Sequence, residues 1–178
     1  MKSDVIRIDN QGCGFKDAIC EVEKAAQYRG GLTRKDELQL RLCAEEMLSL
    51  ARSVTGEMEA TFWIESEGKS FDLHLATKTV MDSEKRRELI ASATSRKNEA
   101  AKTFLGKLRD TFEAAMAADP DYSGNGIPDK AVIDLLLHPD STPEWDMFEQ
   151  SVLRETANEV KIAVRGGKVD MTVNKSFA

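Results

Sequence analysis

The chain has 178 residues, of which 41% are apolar and 31% are charged. This length and composition predict one folded domain of ordinary size, or a small domain with an insertion, and exclude general disorder. The 31 acidic residues outnumber the 25 basic ones and give a net charge of -6. That balance argues against a general nucleic-acid binder, because such a protein must neutralise phosphates.

Two sequence features bear on the compartment. No apolar run approaches the length of a membrane span, and the opening MKSDVIRID lacks the apolar core of a signal peptide. The three cysteines have no metal-ligand spacing and are expected to be reduced thiols: Cys13, Cys20 and Cys43. We therefore expect a cytoplasmic protein.

The first part of the chain alternates strands and helices. Residues 5–8 (VIRI) predict a short strand, and a QGCG loop follows them. Helical periodicity then covers residues 17–28. After a second helix, two alternating runs at 60–66 and 70–76 are separated by a Gly-containing turn and predict a hairpin.

The second helix, residues 33–55, has Thr33 as its predicted N-cap. Its predicted buried face repeats at three-and-four spacing and comprises Leu40, Cys43, Met47, Leu50 and Val54, extended by Leu38, Leu42 and Leu48. Glu45 and Glu46 lie well inside this helix beside apolar positions. They are either solvent-facing acids, with Glu45 near Arg41 and Arg52, or Glu46 is a general base.

The rest of the chain begins with a helical signal from 83 to about 118, which fits one long helix or two joined near Ser95. A polar loop (119–129), a short helix (131–138) and a helix from Thr142 to Ala157 follow. The chain closes with a hairpin around Gly166-Gly167. These elements predict a single α+β domain, a two-layer sandwich in which helices cover one face of a mostly antiparallel sheet.

Several side chains invite a chemical interpretation that their surroundings do not favour. His74 lies on the polar face of a strand and His138 at a helix end, and neither has a second metal ligand at useful spacing. The basic residues Lys85, Arg86 and Arg87 lie between acids, which is typical of a solvated helix face.

The loop DYSGNGIPD has oxygen donors at the one, three, five and nine spacing of calcium loops: Asp121, Ser123, Asn125 and Asp129. It resembles the short D-x-D-x-D-G-x-x-D repeats of extracellular calcium proteins. Ser123 and Asn125 replace two carboxylates, and Val132 stands where a bidentate Glu would be. The pattern fits either a calcium site or, as we favour, a capped turn between helices.

Two stretches resemble the histidine-kinase-like ATPase (GHKL) fold, and particularly bacterial anti-sigma factor serine kinases. AEEMLSLARSV is similar to the family's first box, E-A-x-x-N-A, with Glu46 on the acid, Leu50 on the Asn and Ala51 on the following alanine. ETANEVKIAVRGGKVDMTVNKSF is similar to the closing D-E-V helix end and hairpin, with Asn158 to Val160 on D-E-V and Lys175 and Phe177 near the end. The resemblance spans 5–79 and 145–177 and leaves 80–144 as a helical insertion in place of the ATP lid.

The departures from the family pattern lie in its nucleotide site. The family's Asn coordinates magnesium, and Leu50 has no oxygen to offer; a one-residue slip would place Glu45 and Ser49 there instead. The second box, D-x-G, places an Asp on the adenine amino group, and Thr77 and Thr79 stand on its Asp and Gly. The Gly-rich lid is missing.

The resemblance therefore implies a regulatory protein that binds a partner such as a sigma factor or an anti-sigma antagonist, and it allows a homodimer. No cofactor, direct nucleic-acid contact or membrane contact is expected. The alternative is a working ATP-dependent serine kinase with unusual ligands, which would use ATP, magnesium and Glu46. In a third interpretation, Phe104, Leu108 or Phe112 of the insertion fills the old nucleotide cleft.

Overall fold

The computed structural model describes residues 1–9, 13–29, 31–55, 59–101, 110, 113 and 152–178. Four helices and five strands lie in these ranges, together with a 3₁₀ turn at Glu99–Ala101. In chain order they are β1 (Ile6–Ile8), α1 (Phe15–Arg29), α2 (Arg34–Thr55), β2 (Ala60–Glu67), β3 (Ser70–Lys78), α3 (Ser83–Ser92), α4 (Val152–Thr156), β4 (Glu159–Arg165) and β5 (Lys168–Ser176). The two predicted hairpins are confirmed.

The strands form one sheet in the order β1-β2-β3-β5-β4, and every neighbouring pair is antiparallel. The β2–β3 hairpin and the β4–β5 hairpin meet where β3 pairs with β5, so Thr77 lies between Ala60 on one side and Val169 on the other. Residues from both ends of the chain therefore share one sheet. The predicted α+β class with an antiparallel sheet is confirmed.

The helices cover one face of this sheet. Burial alternates along the strands, as expected when one face meets a core and the other does not. The helix-facing side chains are almost fully buried and include Phe62, Ile64, Phe71, Leu73, Leu75, Ile162, Met171 and Val173. They join buried residues of α1, α2, α3 and α4 in a single core cluster.

Helix α2 begins after Thr33, as predicted. The Asp36 amide donates to Thr33 Oγ1 at 3.3 Å, and the Thr33 amide donates to Asp36 Oδ2 at 2.9 Å, which makes a reciprocal cap. The predicted buried face is correct except at three positions: Leu42 and Leu50 are only half-buried, and Leu38 is 49% exposed. The small residues Ala44 and Ala51 are buried in their stead, because they let the helix backbone approach the core closely.

The segment after β3 is broken near Ser95, in agreement with the two-helix alternative. Helix α3 ends at Ser92, and Arg96 adopts a left-handed φ of 52° that no continuing helix allows. The predicted elements between 114 and 151 lie outside the described residues. Within the described ranges, no helix has the length and apolar character needed to cross a membrane.

Candidate functional site

The acid pair of α2 separates into two environments. Glu45 Oε1 accepts from Arg41 Nε at 2.8 Å, and Arg41 also reaches Glu23 at 2.8 Å, so the ion-pair interpretation of Glu45 is confirmed. Glu46 is half-buried and forms no hydrogen bond or ion pair with the described residues. Of these two acids, Glu46 is therefore the one whose carboxylate forms no hydrogen bond or ion pair with a described residue.

Leu50 lies one turn after Glu46 and packs against the core as a half-buried side chain. Its carbonyl accepts from Ser53 Oγ at 3.0 Å. An apolar side chain at this place contributes packing and offers no ligand for a hard cation.

The second pair of predicted site residues, Thr77 and Thr79, lies at the C-terminal end of strand β3. Thr77 is 5% exposed, and its Oγ1 donates to the carbonyl of Glu59 at 2.9 Å. The Thr79 amide donates to the carbonyl of Gly167 at 2.8 Å. Gly167 has a φ of +82°, and a Cβ there would lie 2.5 Å from the Thr79 carbonyl oxygen. The end of β3 is thus joined to the β4–β5 turn by direct backbone contact.

The C-terminal end of α2 and the C-terminal end of β3 lie at the same end of the sheet. Helix α2 ends at Thr55, and β2 begins at Ala60, which pairs with Thr77. With a rise of about 1.5 Å per residue, Leu50 lies about 8 Å and Glu46 about 14 Å back along the helix from Thr55. Leu50 is therefore nearer than Glu46 to the end of the sheet that carries Thr77.

A shallow depression of about 350 Å³ lies beside Thr79. Its lining comprises Thr79, Val80, Met81, Arg86, Glu113, Gly166 and Gly167. Glu113 Oε2 accepts from the Gly166 amide at 3.0 Å, so its carboxylate supports the turn. Of the residues predicted from the sequence to form a site, Thr79 alone is among these lining residues.

Arg86 corrects the interpretation of the basic cluster as a solvated face. It is 6% exposed and forms an ion pair with Asp110. Helix α3 buries Arg86, Leu89 and Ser92 at three-residue spacing, so the arginine shares the face of the buried leucine. The three-residue spacing between Arg86 and Leu89 could have indicated from the sequence that the arginine lies on the buried face of the helix. It could not have indicated that Asp110 is its partner.

Sequence reasoning also missed Asn98, which is 6% exposed. Its Oδ1 accepts from the Val164 amide at 2.8 Å, and its Nδ2 donates to the Val164 carbonyl at 2.9 Å and to Asp110. Thr94 also binds both backbone groups of Val160: its Oγ1 accepts from the Val160 amide at 2.8 Å, and its own backbone amide donates to the Val160 carbonyl at 2.9 Å. Asn98 and Thr94 thus take the place of a neighbouring strand along the edge of β4.

His74 lies on the polar face of β3, as predicted. Its ring stacks on Trp63 with centroids 4.9 Å apart, and Nδ1 lies 3.2 Å from Thr172 Oγ1. Nε2 is buried and has no hydrogen-bond partner among the described residues, and burial lowers the pKa of the imidazole. No group of three or more metal-binding side chains occurs in the described part of the chain. His138 and the four residues of the calcium-type loop lie outside it.

No protein-family model matches the chain, and no curated protein matches its sequence.

Proposed function

We propose that this chain is a regulatory protein on a histidine-kinase-like ATPase scaffold, acting by protein binding with a lost or weakened ATP site. The element order supports the proposal: two helices precede the first hairpin, a helix precedes the last one, and helices cover one face. Its expected partner is a sigma factor or an anti-sigma antagonist, as the resemblance implies. The specific family and partner are inferences from the sequence motifs.

The observation that carries the loss of the ATP site is the state of Thr77. This residue stands where the family has the Asp that accepts from the adenine amino group. Its hydroxyl is almost fully buried and already donates to the Glu59 carbonyl. A neutral, buried hydroxyl is a much weaker acceptor than a carboxylate. Leu50 adds a second deficit, because a hydrocarbon cannot replace an oxygen ligand of magnesium.

The alternative of a working serine kinase is favoured by one feature, the carboxylate of Glu46, which forms no hydrogen bond or ion pair with a described residue. A general base must be free to accept a proton, and an acid held by a neighbouring arginine, as Glu45 is, would be a poorer base. The third interpretation, in which inserted side chains fill the cleft, concerns Phe104, Leu108 and Phe112, which lie outside the described residues.

Binding of ATP decides between the proposal and the kinase. We expect no magnesium-dependent rise in melting temperature at millimolar ATP. The matched variants are Glu46→Ala and Glu45→Ala, which remove neighbouring acids from the same helix. A magnesium-dependent shift that Glu46→Ala abolishes and Glu45→Ala retains would favour the ATP-dependent kinase and refute the proposal of a lost or weakened ATP site.

Partner binding is tested with purified proteins. The full chain is mixed with individual sigma factors and anti-sigma antagonists encoded by the same genome, with and without Mg-ATP, and complexes are measured by titration calorimetry. We expect one partner to bind equally well in both conditions. Binding that requires ATP, or no binding to any of these proteins, would overturn the proposed regulatory role.

A further inference from the structure

On the face of the sheet that the helices leave uncovered, one buried side-chain nitrogen has no hydrogen-bond partner among the described residues. This atom is Nε2 of His74, in the central strand β3. The other ring nitrogen, Nδ1, lies 3.2 Å from Thr172 Oγ1, and the ring stacks on Trp63 at an interplanar angle of 11°. A neutral imidazole therefore fits this position, whereas a protonated one would bring a second N–H donor to a place that offers it no acceptor.

Trp63 lies between His74 and Lys2. Residues 1–3 adjoin β2 on the side away from β3, through a bridge between Lys2 and Glu65. The Lys2 ammonium lies over the Trp63 ring, 5.6 Å from its centroid, and forms an ion pair with Glu65 at 2.9 Å. Trp63 Nε1 donates to the same Glu65 oxygen at 3.4 Å. Lys2 and His74 thus lie on the two sides of one indole, and Glu65 holds Lys2 in place.

Residues 1–3 also satisfy backbone groups of β2 beyond the end of β1. The Ser66 amide donates to the Met1 carbonyl at 2.8 Å, and the Ser3 amide donates to the Ile64 carbonyl at 2.9 Å. The Ile64 amide donates to Ser3 Oγ at 2.9 Å. When residues 1–3 leave, these groups of Ile64 and Ser66 lose their partners and become an open sheet edge.

The position of Lys2 couples its contacts to the protonation of His74. Burial is the main cause of the lowered pKa of the imidazole; the charges of Glu65 and Asp72 act against it, and the Lys2 charge adds to it. Such an effect is reciprocal, because a charge on Lys2 that disfavours protonation is itself disfavoured by protonation. A proton on His74 therefore weakens the attachment of Lys2 to Trp63.

The acids around the ring act in the same direction. Asp72 already accepts from the Asn174 amide group at 2.7 Å. Lys161, beyond Thr172 on β4, forms an ion pair with Glu159 at 2.8 Å. Glu65 is then the acid for which a charged imidazole competes, and Glu65 is the residue that holds Lys2.

We propose that His74 is a proton-sensitive switch for residues 1–3: when the imidazole takes up a proton, Lys2 leaves Trp63 and Glu65, and the edge of β2 opens. The rest of the sheet stays in place, because β2 remains paired with β3 from Ala60 to Glu67. The opened edge offers the backbone of Ile64 and Ser66 to an extended segment of a partner. The switch is independent of the proposed ATP site and of sigma-factor binding.

The test is amide hydrogen exchange of the full chain, followed by NMR and corrected for the intrinsic effect of pH. Between about pH 7.5 and about pH 5.5, the protection of the Ser3 and Ser66 amides should fall by about tenfold or more. The protection of the Leu75 amide, inside the sheet, should change by less than about threefold. Glu65 stays charged in this range, because the hydrogen bond from Lys2 lowers its pKa below 4.5.

Three variants separate His74 from other causes. His74→Gln cannot take up a proton and should keep both amides protected across the range, whereas His74→Lys carries a fixed charge and should release residues 1–3 even at about pH 7.5. His138→Gln removes the other histidine of the chain and should leave the pH dependence unchanged. Retained protection at about pH 5.5 in the unaltered chain, or the same pH-dependent loss in His74→Gln, would overturn the inference. An equal loss at Leu75 would assign the effect to unfolding of the whole sheet and overturn it too.

Discussion

Asn98 provides a direct measure of what holds the edge of β4. Truncation by Asn98→Ala removes two hydrogen bonds to Val164, at 2.8 and 2.9 Å, and one bond each to Asp110 and to the Ala100 amide. Val164 is 1% exposed and Asn98 is 6% exposed, so water has little access to the freed backbone groups. An unsatisfied buried group costs about 1–3 kcal/mol, which gives an expected loss of about 2–6 kcal/mol for the two groups of Val164 together.

The assay is urea denaturation of the full chain, with the free energy of unfolding obtained by linear extrapolation. The matched control is Asn158→Ala, which removes the same side chain from an exposed residue whose Oδ1 accepts from the Ser176 amide at 2.8 Å. Because water can replace that bond, the control should cost about 1 kcal/mol or less. Equal costs for the two variants would show that water replaces the Asn98 amide and would refute the reasoning.

Three further outcomes are expected from local structure. Burial lowers the pKa of His74 below 6.5, so the unfolded chain takes up a proton at this residue at a higher pH than the folded chain. The free energy of unfolding should therefore fall as the pH drops below about 6.5. His74→Gln should remove that part of the pH dependence of the urea midpoint. Gly167→Ala should destabilise by about 2–4 kcal/mol, because a Cβ would meet the Thr79 carbonyl at 2.5 Å, whereas Gly68→Ala, in open space, should cost only the left-handed strain of about 1 kcal/mol. Cys43 is fully buried, and burial raises the pKa of its thiol, so a thiol reagent should label it only after unfolding.

Local patterns predicted the elements whose signals are contained in a few neighbouring residues. The β4–β5 hairpin follows from alternation on both sides of Gly166-Gly167, and both glycines adopt the positive φ that such a turn requires. The start of α2 follows from Thr33 in the same way. The sequence could not give the order of the strands, because the pairing of β3 with β5 joins residues about a hundred positions apart along the chain.

The side chains that sequence reasoning misjudged are those whose environment is set by distant residues. Arg86 has the charge pattern of a solvated helix face, and its burial depends on Asp110, which lies 24 positions away. Asn98 reaches a strand 66 positions away. Leu50 fits the apolar repeat of α2, yet it lies at the margin of the core because the helix turns its alanines towards the sheet. Periodicity identifies a face, and packing decides which part of it is buried.

Leu50 and Thr77, two positions at which the chain departs from the family's nucleotide site, differ in what the family residue would cost the fold. Leu50→Asn would place an amide on a half-buried helix surface, where water or a cation can satisfy it. Thr77→Asp would place a carboxylate against the Glu59 carbonyl that now accepts from the hydroxyl, at a position only 5% exposed. A buried charge without a donor is strongly unfavourable, so this change requires a different local backbone. Under the proposed function, the adenine end of the site is therefore the harder part to restore, because Thr77 is buried and its hydroxyl is used in a hydrogen bond within the fold. The magnesium position, Leu50, is the part that a single substitution can most easily restore.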